Sequence, residues 1–446
     1  MFQIDQQTLS DLHAIDWMHG SLLMLFDSTC TLGGRDILYK MFLNPLVTKD
    51  AIVARQEAIQ YLIDTDIDKL FDKYMMDDLE RYLALSKDLY SESKLIYFMD
   101  KLATNFLSLA YEKEQLLIQQ SIKEIAQVIV ALKAIFDTAL QSGRPLGDIA
   151  AYAATFYAFA KHLDLTEIKS LAQGKATLHL HIKYDNQFRN IHQTDIYMLF
   201  KLCYSLDALR AVARLYVIKS LCFPVFTEKA DSAMLLHMQG CYNLSLANPV
   251  KNDVAISSKQ NIWFLTGANM TGKSTLLKTI GSCIYLAHMG FPVPADAMET
   301  SLFQGLITSI NLGDNLGSGY SHFFNEVLRV KSVAQSIHQQ GPMVILLDEL
   351  FKGTNYQDAY EATSQLMASI STIQNSIFLI SSHITELGGV LKDHPRIALR
   401  YLETQIHADL NHGVKFTYQL ATGINDIKLG MWFLEKERVF EAFKGL

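Results

Sequence analysis

The 446-residue sequence predicts an all-α unit followed by an α/β unit, and three observations carry that expectation. Before about residue 220, apolar residues recur at three- and four-residue spacing with few breakers, the period of amphipathic helices. After it, short apolar runs alternate with helical stretches, the mark of an α/β unit. One of those runs, residues 261–266, leads into Gly267-Ala268-Asn269-Met270-Thr271-Gly272-Lys273-Ser274, a glycine-bounded loop between a buried strand and a helix. The expected units are residues 1–220 and 221–446.

In the first half, residues 95–140 place Leu102, Phe106, Leu109, Leu116, Ile118, Ile122, Ile125, Ile129, Leu132 and Phe136 at helical spacing. Ser142-Gly143-Arg144-Pro145 breaks the pattern. Residues 149–160 follow as a core helix, bounded by Asp148 and Lys161 and too short to span a membrane. Leu178, Leu180 and Ile182 alternate with polar residues over 176–184, which predicts a short strand or hairpin. A further helix is expected over 194–221.

In the second half, Ile262-Trp263-Phe264-Leu265 predicts a buried strand and residues 275–280 a helix. The loop between them has the form of a phosphate-binding loop, whose glycines permit a tight turn with backbone N–H groups facing an anion. Lys273 is placed to neutralise β- and γ-phosphates and Ser274 to ligate Mg²⁺; Gly267, Asn269, Met270, Thr271, Gly272 and Thr275 complete the ATP cradle. Met343-Val344-Ile345-Leu346-Leu347 is an unbroken apolar run ending in Asp348-Glu349. A parallel strand covered on both faces reads this way, and its carboxyl end is where α/β ligands bind. Asp348 would then hold the Mg²⁺ shell and Glu349 polarise an attacking water. Residues 376–382 predict another buried strand, ending at His383, a candidate donor to the γ-phosphate.

Half the residues are hydrophobic, enough for large cores. No apolar stretch reaches membrane-span length, and the amino terminus lacks the basic and apolar regions of a secretory signal. Cys30, Cys203, Cys222, Cys241 and Cys283 are scattered without C-x-x-C spacing, which argues against a zinc site or a disulfide framework and fits a cytoplasmic location. The net charge of −7 speaks against a strongly basic nucleic-acid binder. Its distribution is uneven: residues 1–100 carry 17 acidic against 9 basic side chains, and residues 101–220 carry 14 basic against 10 acidic. A helical arm with that basic excess could touch phosphates, and a solvated helix face has the same composition.

The loop's G-A-N-M-T-G-K-S-T resembles the G-P-N-M-G-G-K-S-T variant of the MutS mismatch-repair family, departing at Ala268 and Thr271. Residues 313–326 resemble that family's D-D-L-x-S-G-R-S-T-F-x-x-E-M signature through Ser318, Gly319, Ser321, Phe323 and Glu326, with Tyr320 and His322 replacing the usual Arg and Thr. Val293-Pro294-Ala295, Gly353-Thr354 with Asp358, Ser382-His383, and Tyr418-Gln419-Leu420 with Gly423 and Leu429-Gly430 are further matches. Residues 25–31 with Gly34-Arg35, Leu38, Pro45-Leu46, Ile52 and Arg55 are similar to the opening of the family's core, or lever, domain. The resemblance implies an ABC-like P-loop NTPase domain after a helical core/lever domain, ATP hydrolysis with Mg²⁺, and a homodimer formed through the ATPase domains. It also implies that Ser321 acts across the dimer on the partner's γ-phosphate.

DNA is the ligand implied for the helical arms. The family's mismatch-reading domain precedes the core domain and has no counterpart expected here, so branched or otherwise shaped DNA suits the chain better than a single mismatch. Phe226-Thr227-Glu228 and Phe433-Leu434-Glu435 match that reader's Phe-x-Glu in letters only. Pro249 falls near the family's adenine-stacking aromatic. The alternative is an ATP-gated dimer whose arms bind a protein partner, which the acidic net charge favours. A transporter-type cassette subunit is disfavoured, because Gly317-Ser318-Gly319-Tyr320-Ser321 is not an L-S-G-G-Q segment.

Overall fold

The computed structural model describes residues 2–16, 20–65, 67, 73–85, 109–227, 234–310, 322–406, 414–425 and 429–444. The chain forms two compact units, and a single cut does not separate them. One holds residues 26–41 and 53–217; the other holds residues 1–25, 42–52 and 218–446. Among the described residues no helix is long and apolar enough to cross a membrane.

The described elements of the first of these units are helical. Helix Leu109–Gln141 runs for 33 residues, about 50 Å at the helical rise. It buries Ile118, Ile122, Ile125, Ile129, Leu132 and Phe136, the face read from the sequence. Leu116 turns to solvent instead, and Leu102 and Phe106 lie outside the described residues. Helix Asp148–Ala160 sets Phe156 against Phe136, with ring centroids 5.4 Å apart. Gly147 before it has φ of 48°, and a Cβ there would stand 1.8 Å from the Ala54 carbonyl oxygen, so that close approach requires glycine. In helix Gln193–Lys219, the buried Asp207 accepts from Thr31 N (2.9 Å), Thr31 Oγ1 (2.7 Å) and Cys30 N (3.0 Å), fixing the chain just before helix Leu32–Leu43.

The strand expected over 176–184 is a helix. Leu178–Asn186 is α-helical, started by Thr177 Oγ1 accepting from Leu180 N, and continues as a π-helix over Gln187–Ile191. The alternating Leu178, Leu180 and Ile182 are not its buried face; Tyr184, Asp185, Phe188 and Arg189 are. That set has helical spacing. It is fixed by Arg189 Nε donating to Asp185 Oδ1 (2.7 Å), which also accepts from Tyr82 Oη (2.9 Å). A buried ion pair with its hydroxyl partner decided the segment over the local apolar pattern.

The α/β unit contains strands β1 (Val225–Phe226), β2 (Met234–Cys241), β3 (Asn252–Ser257), β4 (Ile262–Thr266), β5 (Ala297–Thr300), β6 (Gly305–Ser309), β7 (Met343–Asp348), β8 (Ile377–Ser382), β9 (Ile397–Ile406) and β10 (Val414–Thr422). Six of them form a sheet of order β10-β9-β4-β8-β7-β6, parallel from β9 to β6 with β10 antiparallel at one edge. A four-stranded sheet has the order β1-β5-β2-β3. Strands β4, β6 and β8 are buried throughout and β7 up to Asp348, as expected of parallel strands covered on both faces. Phe264, Ile345, Phe378 and Ile380 pack with Val333, Met367, Ile370 and Leu387 of helices His322–Gln340, Tyr356–Ile370 and Glu386–Leu391. Helix Lys273–His288 covers the opposite face.

Residues 2–12 and 42–52, expected with the helical half, are built into this unit. Gln3 pairs with the β6 edge through Gln3 N→Gln304 O (2.8 Å) and Leu306 N→Gln3 O (2.9 Å). The buried Asp11 accepts from Thr308 Oγ1 (2.6 Å) and Ile310 N (2.8 Å). The second segment is held by His288, whose Nδ1 donates to Leu46 O (3.0 Å) while Nε2 accepts from Phe303 N (3.4 Å). Leu46 N returns a bond to His288 O at 2.6 Å.

That bonding requires a neutral ring, and burial pushes the His288 pKa down to about 4 against the opposing pull of the Leu46 carbonyl. The unfolded ring protonates near 6.5. Stability from this group is therefore complete above that pH and is lost as the pH falls towards 4. Between pH 6.5 and 5 the α/β unit should lose on the order of 2 kcal/mol from this site. Urea titrations over that range should show His288→Gln with a pH slope smaller by about one proton; an unchanged slope would contradict the assignment.

Candidate functional site

Strands β4, β7 and β8 end side by side, and their register aligns the candidate residues. Thr266 pairs with Ser382, and Asp348 with Ser381. The chain leaves β4 through residues 267–272 and enters helix Lys273–His288. Gly267 and Gly272 have φ of 136° and 101°, and Met270 has 69°. Two of these three left-handed positions are glycines, which take the conformation at little steric cost. Thr271 Oγ1 braces the loop by donating to Ala268 O (2.9 Å), so the departure from the usual glycine at this place supplies an internal bond.

Lys273 is buried, and its ammonium donates to Gly267 O (2.7 Å) and Ala268 O (2.9 Å), 3.5 Å from Glu349 Oε1. Burial draws its pKa below the ordinary lysine value, against the pull of Glu349 and Asp348. Asp348 accepts from the hydroxyls of Ser274 and Ser381, one on each carboxylate oxygen. A hydroxyl and a carboxylate are the hard oxygen donors that suit Mg²⁺, and Ser274 with Asp348 fits such an ion.

Glu349 is the most constrained residue of the site. Its φ is 52°, and its N–H meets Ser381 O (3.1 Å) and Ser381 Oγ (3.0 Å). The carboxylate is 9% exposed and pairs with Lys352 and with His383 Nε2. His383 is oriented from its other side by Nδ1 donating to Gly267 O (3.2 Å). Burial alone would raise the Glu349 pKa; bonds from His383 and Lys352 and the charge of Lys273 outweigh it and bring it to about 2. A carboxylate so held is ionised throughout the physiological range.

A cavity of about 460 Å³ opens over the loop, lined by Asn269, Met270, Gly272, Lys273, Ser274, Thr275 and Glu349 on one side. Tyr242, Pro249, Val250, Leu402 and Tyr418 form much of the rest. The structure thus brings together Gly267, Asn269, Met270, Thr271, Gly272, Lys273, Ser274, Thr275, Asp348, Glu349 and His383. Ser321 lies outside the described residues, as do 313–320 of the same motif; Phe323 and Glu326, which follow, sit in helix His322–Gln340. Sequence reasoning missed Lys352, Ser381, Tyr242 and Tyr418. Ser381 was readable as standing two residues before His383 near a strand end, once β7 and β8 are paired. Tyr418 was quoted only as part of a motif, and its place above the loop depends on how β10 folds back.

Residues 263–439 match the MutS domain V family. The chain is 25% identical over 291 residues to DNA mismatch repair protein MSH6 of Saccharomyces cerevisiae, covering 59% of this chain and 23% of that protein. That share exceeds what residues 218–446 alone supply, so the likeness reaches into the preceding residues. It is 28% identical over 176 residues to DNA mismatch repair protein MutS of Aquifex pyrophilus (40% of this chain, 20% of that protein). It is 30% identical over 190 residues to DNA mismatch repair protein MSH3 of Vanderwaltozyma polyspora (41% and 18%). These matches span about a fifth of the length of those relatives. The loop at 267–274 and the paired ends of β4, β7 and β8 all lie within the segment that is similar to MutS domain V.

Proposed function

We propose that this protein is a Mg²⁺-dependent ATPase that dimerises through its α/β units and uses hydrolysis to open and close helical arms on DNA. One observation carries the enzymatic part: Lys273, the Ser274–Asp348 pair and the Glu349–His383 pair meet at the carboxyl ends of β4, β7 and β8, beside a cavity that Lys273, Ser274 and Glu349 line. Catalysis at such a site is positioning and electrostatics. Backbone N–H groups of the loop and Lys273 bind the phosphates. Ser274 and Asp348 would hold Mg²⁺, whose charge when bound neutralises the β- and γ-phosphate oxygens. Glu349 orients and polarises the attacking water. His383 steadies the charge that develops on the γ-phosphate.

The DNA reading rests on the relatives, which are named as DNA mismatch repair proteins. The role of Ser321 on a partner's nucleotide rests on the family resemblance. The net charge of −7 favours a second reading, in which the arms grip a protein partner.

Glu349→Gln should leave the Kd for ATP within a few-fold and lower turnover by roughly 10²- to 10⁴-fold. Lys273→Ala should raise that Kd by about tenfold or more; calorimetry with a phosphate-release assay reads both, and unchanged hydrolysis in either variant refutes the site. Mixing inactive Ser321→Ala and Lys273→Ala subunits should restore part of the hydrolysis, and no recovery at any ratio argues against action across a dimer. Duplex and branched DNA should bind at low salt with the logarithm of the affinity falling linearly in log[salt], because phosphate contacts release counterions. No binding at low salt would leave the protein-partner reading.

A further inference from the structure

We infer that Asn252 is a positioning residue for the base of the bound nucleotide, through its grip on Tyr418; this rests on the ATP reading above. Tyr418 lies in an irregularity of β10. Between the pairs Phe416↔Thr404 and Leu420↔Leu402 the strand advances four residues while β9 advances two. The excess leaves the ladder, and Tyr418 takes φ of 57°, a strained value for an aromatic residue. Its ring is thereby brought over the phosphate-binding loop: a Cβ on Gly272 would stand 3.1 Å from Tyr418 Cδ1. Phe416 stacks behind it, with centroids 6.0 Å apart and planes at 23°.

The bulge is held by a side chain from the other sheet. Asn252 opens β3, is 9% exposed, and lines the same cavity. Its Nδ2 donates to Tyr418 O (3.0 Å) and its Oδ1 accepts from Leu420 N (2.7 Å). One amide thus acts on a bulged strand as a neighbouring strand would, meeting a carbonyl and an N–H that flank residue 419. Only a primary amide does both. Aspartate keeps the acceptor but sets a carboxylate against the Tyr418 carbonyl, and serine is too short to span the two groups. The Tyr418 ring faces the cavity above the phosphate loop, where a base would stack, and Asn252 fixes its height and tilt.

The test separates base from phosphate by titrating Mg²⁺ with ATP and, separately, with inorganic tripolyphosphate, which has no base. Asn252→Leu, which removes both bonds without adding a charge to the cavity, should raise the Kd for ATP about tenfold and leave that for tripolyphosphate within about twofold, as should Tyr418→Ala. The double variant should lose no more than either single one, because both remove one interaction. Equal losses for both ligands, full additivity, or no loss for ATP would overturn the inference. A measurement without substitution guards against misfolding: ATP, and not tripolyphosphate, should slow amide exchange at Leu420, and equal slowing by both would also count against it. If the wild type binds neither ligand, the nucleotide reading falls and this inference with it. If it binds both equally, the phosphate site stands and only the base wall fails.

Discussion

The register of β8 between β4 and β7 is the constraint on which the rest of the α/β unit depends. It sets Ser381 opposite Asp348 and Ser382 opposite Thr266, and so brings the loop after β4 and the carboxylates after β7 to one line. A one-residue slip would turn every β8 side chain to the other face. Phe378 and Ile380 would leave the core they share with Phe264 and Ile345, and Ser381 would leave Asp348. The hydrophobic packing and the polar geometry are therefore enforced by the same pairing.

At the end of that register the chain departs from ordinary backbone and ordinary ionisation together. Met270, Glu349 and Phe351 all have positive φ, which costs on the order of 1 kcal/mol or more for each non-glycine residue. Phe351 is repaid by burial in the core beside Phe323. Glu349 is repaid by its N–H bonds to Ser381 and by three nitrogen-bearing side chains around its carboxylate. Strain persists where the surroundings over-determine the conformation, and here they do so from three separate strand ends.

What the sequence shows of this molecule follows the range of the forces involved. The turn at 267–274 was legible because it is local: its two positive-φ glycines and the Thr271–Ala268 bond lie within eight consecutive residues. The strands β4, β7 and β8 were legible because complete burial writes an unbroken apolar run. The helix at Leu178–Asn186 was not: its alternating leucines imitate a strand, and the buried Asp185–Arg189 pair that fixes it finds its third partner, Tyr82, 103 residues away. Lys352 stands three residues after Glu349 and could have been suspected, yet a lysine in a turn carries no mark of which carboxylate it meets.

The same limit explains the division of the chain. A sheet's edge strand exposes unpaired backbone groups and must be covered, and nothing in β6 itself says by what. Gln3 adds its backbone to that edge, while Thr8 Oγ1 and Asp11 meet the N–H groups of Thr308 and Ile310. At the opposite edge, Asn252 does for the bulge of β10 what Gln3 does for β6, with a side chain in place of backbone. Both edges are completed by residues remote in sequence. The α/β unit is consequently larger than the segment that carries its chemistry, and it draws the first residues of the chain and the 42–52 segment into the support of the site.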